Sequence, residues 1–113
     1  MDKEKELFDK IGSKLSKKYR LVKIGKMMSS PGFSYKKKIL CFFYKNEITL
    51  RLGQDFVPEI HGIKEWKYLN PFKSKSAMKN WFQLPYSEKK NWEKFAIRAM
   101  ESLQKEFNSK EKI

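Results

Sequence analysis

From Lys10 to Asn46 the chain contains no aspartate or glutamate, and the acidic residues elsewhere are scattered rather than clustered. That pattern disfavours paired-carboxylate chemistry and cation binding on an acidic ridge. Cysteine is almost missing too. With Cys41 alone, an intramolecular disulfide and a multi-cysteine metal centre are excluded, and a reducing, cytoplasmic setting fits. His61 is the only histidine, with no nucleophile near it in sequence. Glycine-rich phosphate loops and Walker-type signatures are absent. No apolar run approaches the roughly 18 residues needed to span a membrane, and the charged start from Met1 to Lys10 has no secretory core behind it. Catalytic residues, cofactors and metals are therefore not expected, and neither is a membrane partner.

What fills the acid-free stretch is positive charge: Lys10, Lys14, Lys17, Lys18, Arg20, Lys23, Lys26, Lys36, Lys37, Lys38 and Lys45 account for eleven of the net +13. A polyanion such as DNA or RNA gains most from such a field, because each neutralised phosphate releases condensed counterions. The alternative is a solvated, lysine-biased surface, since only Arg20, Arg51 and Arg98 among the 26 basic residues are the arginines that grip phosphates and bases bidentately. The 113 residues are 40% hydrophobic and 15% aromatic, enough for one domain with one core.

Leu7, Phe8, Ile11 and Leu15 repeat at helical spacing and predict a first helix from Lys3 to about Tyr19, with Lys3, Lys10, Lys14 and Lys17 on a separate arc. Leu21 to Met28 reads as a strand, Ser29-Ser30-Pro31-Gly32 as a turn, and Phe33 to Tyr35 as the start of a second strand that ends in a charged tip at Lys36 to Lys38. Ile39 to Tyr44 and Glu47 to Leu52 form a hairpin across Lys45-Asn46, the first strand apolar on both faces and the second on one. Gly53 to Ser76 is an irregular connection. Met78 to Leu84 alternates as a last strand, with Phe82 and Leu84 opposite Trp81 and Gln83. Ser87 reads as the N-cap of a helix along which Trp92, Phe95, Ala96, Ala99, Met100, Leu103 and Phe107 recur. Asn108 to Ile113 is expected to fray. The expected fold is α+β, a two-layer sandwich in which terminal helices cover one face of an antiparallel sheet of four to five strands, with Leu7, Ile11, Leu15, Leu50, Trp81, Phe95, Ala99 and Leu103 in its core.

Gly25-Lys26-Met27-Met28-Ser29-Ser30-Pro31-Gly32-Phe33 resembles the glycine, methionine and proline turn of the TfoX N-terminal domain family, departing from it at Met28 and Ser29. Ile39 to Leu52 resembles that family's hairpin, and Asn70-Pro71-Phe72 lies where it has a proline and phenylalanine pair. Met78-Lys79-Asn80-Trp81-Phe82-Gln83-Leu84-Pro85 is similar to its methionine, lysine, tryptophan and proline signature. The resemblance covers residues 1–107, and the small YjbR or MmcQ type proteins are more distant relatives. It implies a two-layer α/β domain. Some of those relatives are described as DNA-binding, and TfoX-like proteins are linked to the regulation of natural competence; no catalytic residue carries over.

Candidate nucleic-acid contacts are the first-helix lysines Lys10, Lys14 and Lys17, the tip Lys36, Lys37 and Lys38, and the segment holding Trp66, Lys67, Lys73 and Lys75. In that segment, aromatic faces interleaved with cations could stack on unpaired bases, or could instead seal one end of the core. No helix-turn-helix, zinc-finger or RNP-type motif supports sequence-specific readout. A protein-interaction domain, self-associating or not, is the second expectation.

Overall fold

The computed structural model describes residues 3–27, 30–70 and 78–111. Helix α1, Lys3–Lys18, buries Phe8, Ile11, Gly12 and Leu15 and ends in Lys17 and Lys18, cations placed against the negative end of the helix dipole. A meander follows: β1 Val22–Met27, β2 Ser30–Tyr35, β3 Lys38–Tyr44 and β4 Glu47–Arg51. A 3-10 turn at Pro58–His61 and a short strand β5, Lys67–Leu69, precede β6, Met78–Leu84. A second 3-10 turn, Tyr86–Glu88, leads into α2, Lys89–Glu111, which continues through positions 108–111.

All six strands join one open antiparallel sheet in the order β1-β2-β3-β4-β6-β5, with both helices packed against it. This is the expected α+β class with one strand more. The extra strand is β5, whose three residues are too few for alternation to register in the sequence. Ser30, Pro31 and Gly32, read as a turn, pair with Met27, Lys26 and Gly25. The Lys36 N–H bond to the Leu21 carbonyl sets the phase of this ladder and places Lys26–Pro31 at a non-hydrogen-bonded position, where proline costs the pairing nothing. A Cβ on Gly32 would stand 2.9 Å from the Cys41 carbonyl oxygen, so glycine is what lets β2 close onto β3.

Strand β3 departs from simple alternation. Phe33 pairs with Cys41 but Ser34 pairs with Ile39, leaving Leu40 as the extra residue of a bulge. Leu40 therefore joins Cys41 on the helix side, while Ile39 turns to the opposite face with Phe42 and Tyr44.

The main core lies between helices and sheet. Phe8 stacks on Phe33 at 4.5 Å, and the Phe33 ring lies directly on Gly12, where a methyl group would overlap its Cε1 and Cζ. From α2, Trp92, Phe95, Ala96, Ala99, Met100 and Leu103 are all buried against Ile48, Leu50, Phe82 and Leu84. Trp81, expected with that core, sits on the opposite face instead. It is buried there with Phe42 and Leu69, its ring 5.3 Å from Phe42 in an edge-on arrangement, because the alternation of β6 sends Phe82 to the helices and Trp81 away from them. Leu7 is only partly buried. Ser87 lies inside the 3-10 turn ahead of α2 rather than at a capping position next to it.

Candidate nucleic-acid interface

One end of the molecule is built entirely from the acid-free stretch together with the last turns of α2. Tyr19 N–H closes α1 on the Leu15 carbonyl at 2.8 Å, and Val22 N–H bonds to the Tyr19 carbonyl at 3.0 Å, so the chain turns at once into β1. Because Val22 pairs with Tyr35 and Tyr35 with Lys38, the β2–β3 turn comes to rest beside this junction. Only Lys36 and Lys37 make that turn. Their φ values of 50° and 71° are the left-handed pair of a type I′ turn, a geometry that favours Asn-Gly and costs a residue with a Cβ about 1 kcal/mol.

Arg20 lines an open concavity of about 210 Å³ together with Tyr19, Leu21, Tyr35 and Gln104; Lys17 and Lys18 precede these residues at the end of α1, and Lys36 and Lys37 follow Tyr35 in the turn. Lys18 Nζ lies 5.5 Å from the centre of the Tyr19 ring, and Lys36 Nζ lies 5.2 Å from that of Phe107. Lys17, Arg20 and Lys37 are exposed and form no ion pair with any described residue. The structure assigns Lys18, Tyr19 and Arg20 to this surface although helical periodicity singled out only Lys17. The contiguous run Lys17-Lys18-Tyr19-Arg20 at a helix end was the available signal.

The other sequence-derived candidates are distributed differently. Lys10 is exposed on α1, whereas Lys14 reaches Glu93 of α2 at 2.8 Å and ties the two helices together. Lys38 is held by Glu106 at 3.1 Å, and the same carboxylate takes Arg51 at 3.3 Å. Trp66 and Lys67 stand at the far end of β4, about 14 Å away at the rise of an extended strand: Lys67 approaches Glu47, the first residue of β4, while Arg51 is its last. There the Trp66 indole N–H donates to Glu59 at 2.8 Å, and the rings of Trp66 and Tyr68 lie 5.3 Å and 5.2 Å from Phe82, closing that end of the core. Lys73, Lys75 and Phe72 lie outside the described residues.

Glu88, Glu59 and Glu106 are structural anchors. Glu88 is buried, 5% exposed, and accepts the backbone N–H groups of Lys64 and Glu65 and the Asn91 side-chain amide at 2.9–3.0 Å. Burial pushes its carboxyl up, but those three bonds and the Lys90 charge outweigh it and hold it below the ordinary range. Glu106 is held low mainly by the hydrogen bond from Lys38, and Glu59 by the one from Trp66.

Groups with catalytic potential are engaged in packing. Cys41 is fully buried and burial pushes its thiol up, away from the reactive thiolate; His61 stacks on Phe56 at 4.7 Å. No group of three or more His, Cys, Asp or Glu that could hold a metal ion occurs among the described residues, and none of the described helices is long and apolar enough to cross a membrane. No family model, curated protein or solved structure matches the chain.

Proposed function

We propose that this protein is a non-enzymatic, cytoplasmic regulatory module of the TfoX N-terminal type that binds nucleic acid weakly, through phosphate contacts and with little sequence preference. The observation that carries this reading is the convergence of Lys17, Lys18, Arg20 and Lys37 at one end, with no carboxylate of positions 10–46 to neutralise them. Phosphates meeting such a surface release counterions, and exposed lysines without ion pairs are free to make that exchange. The lysine-rich, arginine-poor composition supports positioning on a backbone rather than reading of bases.

Self-association, the other expectation, has its natural route along the outer edge of β1, where residues 23–26 are all exposed. Lys23 and Lys26 guard that edge, since a second copy would bring the same charges against them. The test is direct binding of DNA and RNA across a salt series. Dissociation constants of about 10⁻⁴–10⁻⁶ M at physiological salt are expected, with affinity falling steeply as salt rises. Combined Lys17→Gln, Arg20→Gln and Lys37→Gln should weaken binding equally across sequences and flatten the salt dependence. No binding even at low salt removes this reading.

A further inference from the structure

The basic end differs from a plain cationic patch in having a pocket with an aromatic lining. We propose that the concavity between Tyr19, Leu21, Tyr35 and Gln104 receives one unpaired base, so that the ligand of this surface is single-stranded nucleic acid rather than duplex; this rests on the nucleic-acid reading above.

Its space of about 210 Å³ suits a flat, ring-shaped group and is far too small for a folded partner. Leu21 is 40% exposed and Tyr35 only 5%, which makes Tyr35 an apolar floor and Leu21 an open rim. Tyr35 packs against Phe107, ring centres 5.9 Å apart, with Lys36 Nζ 6.0 Å from the Tyr35 ring centre, so the floor is held in place by neighbours on the protein itself. Tyr19 is half-buried and lines the concavity, and Lys18 Nζ lies over its ring. A base stacked on that ring would displace the ammonium outward to where the flanking phosphate runs. Gln104 offers both an amide donor and an acceptor to the edge of any base, which gives hydrogen bonding without strong selectivity. Arg20 completes the rim as the one arginine among the eleven cations of the acid-free stretch, and a guanidinium can grip phosphate with two bonds. Bases inside a duplex are stacked on each other and cannot enter such a pocket, so duplex could use only the lysines around it.

The experiment measures binding of the full chain to a labelled oligothymidylate and to a duplex of equal length, at low and physiological salt. The single strand should bind more tightly. Tyr19→Leu keeps apolar bulk on the core side but removes the π face; it should weaken single-strand binding about tenfold, the scale of one lost stack, and leave duplex binding within about twofold. Tyr19→Trp restores the π face and should restore single-strand affinity, its fluorescence quenched as the oligonucleotide is added. Circular dichroism of both variants separates a binding defect from a folding one. Equal affinity of the wild type for the two ligands, equal losses for both in Tyr19→Leu, or failure of a folded Tyr19→Trp to restore binding overturns the pocket assignment while leaving the phosphate surface standing. Absence of binding to either ligand overturns both.

Discussion

The half of the molecule made by α1 and β1–β3 and the half made by β4–β6 and α2 share one sheet and one apolar core but differ in what is added to that core. In the first, cohesion comes from rings and aliphatic groups: Phe8 on Phe33, Phe33 on Gly12, Tyr35 on Phe107. In the second, rings pack as densely, with Phe82 against Phe56, Trp66 and Tyr68, and carboxylates bind chain to chain as well: Glu88 holds Lys64, Glu65 and Asn91, Glu59 holds Trp66, and Glu47 holds Gln83. The carboxylates that neutralise lysines of positions 10–46 reach across from α2, Glu93 to Lys14 and Glu106 to Lys38. Keeping acidic residues out of positions 10–46 leaves the remaining cations there facing solvent, and apolar packing offsets the self-repulsion that results. The charge is therefore available to an outside anion because the fold does not use it.

The sharpest way to break this comparison is to remove the packing. Phe33→Ala should cost about 3–5 kcal/mol, the range for emptying a buried aromatic site, with the loss unchanged between neutral and mildly acidic pH. Urea denaturation at both pH values measures it. A cost below about 1 kcal/mol would mean that the first half is not held by its rings.

How far the sequence alone reaches follows the same division. Both helices were legible because Phe8, Ile11 and Leu15, and then Trp92 to Leu103, repeat at helical spacing over several turns. The faces of β6 were legible from its alternation, but the choice of Trp81 for the helix side was wrong. Strand β3 is apolar on both faces, so periodicity gives no ground for deciding which face the helices take, and the bulge at Leu40 shifts the pattern further. The basic end was only half visible. The end of α1 and the β2–β3 turn come together because Val22 pairs with Tyr35, in a hairpin that already pairs Met27 with Ser30 and so closes more tightly than the Ser29 to Gly32 turn read from the sequence. The burial of Glu88 was not legible, since its partners Lys64 and Glu65 come from an irregular segment more than twenty residues earlier.

In the second half the sensitive positions should be acidic. Glu88→Ala leaves two backbone N–H groups and the Asn91 amide without their acceptor and should cost about 2–4 kcal/mol, each orphaned buried donor contributing about 1–3. Acid should act in the same place. Glu88 and Glu106 titrate below the ordinary 4.5 when folded, so the folded state binds fewer protons than the unfolded one. Their contribution is complete above pH 4.5 and is lost as the pH falls through their lowered folded values. Hydrogen exchange on acidification should therefore open residues 63–65 and the start of α2 before it opens α1 and β2. Simultaneous opening of the two halves would erase the distinction between them.

Gly12 sharpens the packing side. Alanine is the better helix former by about 1 kcal/mol, so an exposed Gly12 would make Gly12→Ala stabilising. Here the added methyl meets the Phe33 ring, itself pinned by Phe8, and overpacking of this kind costs about 1–3 kcal/mol. Net destabilisation of about 1 kcal/mol is expected in thermal melts, and any rise in Tm would show that Phe33 can step aside.

The smallest effect has the opposite sign and joins the two properties of the basic end. Lys37 holds a φ of 71° in a two-residue turn, a conformation that glycine adopts without the Cβ penalty. Lys37→Gly should thus stabilise the protein by about 1 kcal/mol, somewhat reduced by the extra freedom of glycine in the unfolded chain. It also removes one cation from the proposed interface. Nucleic-acid affinity should fall and the slope of log affinity against log salt should decrease by about 0.7–0.9, one phosphate contact fewer. Lys45→Gly is the matched control. Lys45 occupies the equivalent left-handed turn between β3 and β4, at the other end of the sheet, with a φ of 51°. The same substitution there should relieve similar strain while leaving binding and its salt slope unchanged. Equal losses of affinity at the two turns would make the cationic field diffuse rather than local to the Tyr19–Lys37 end.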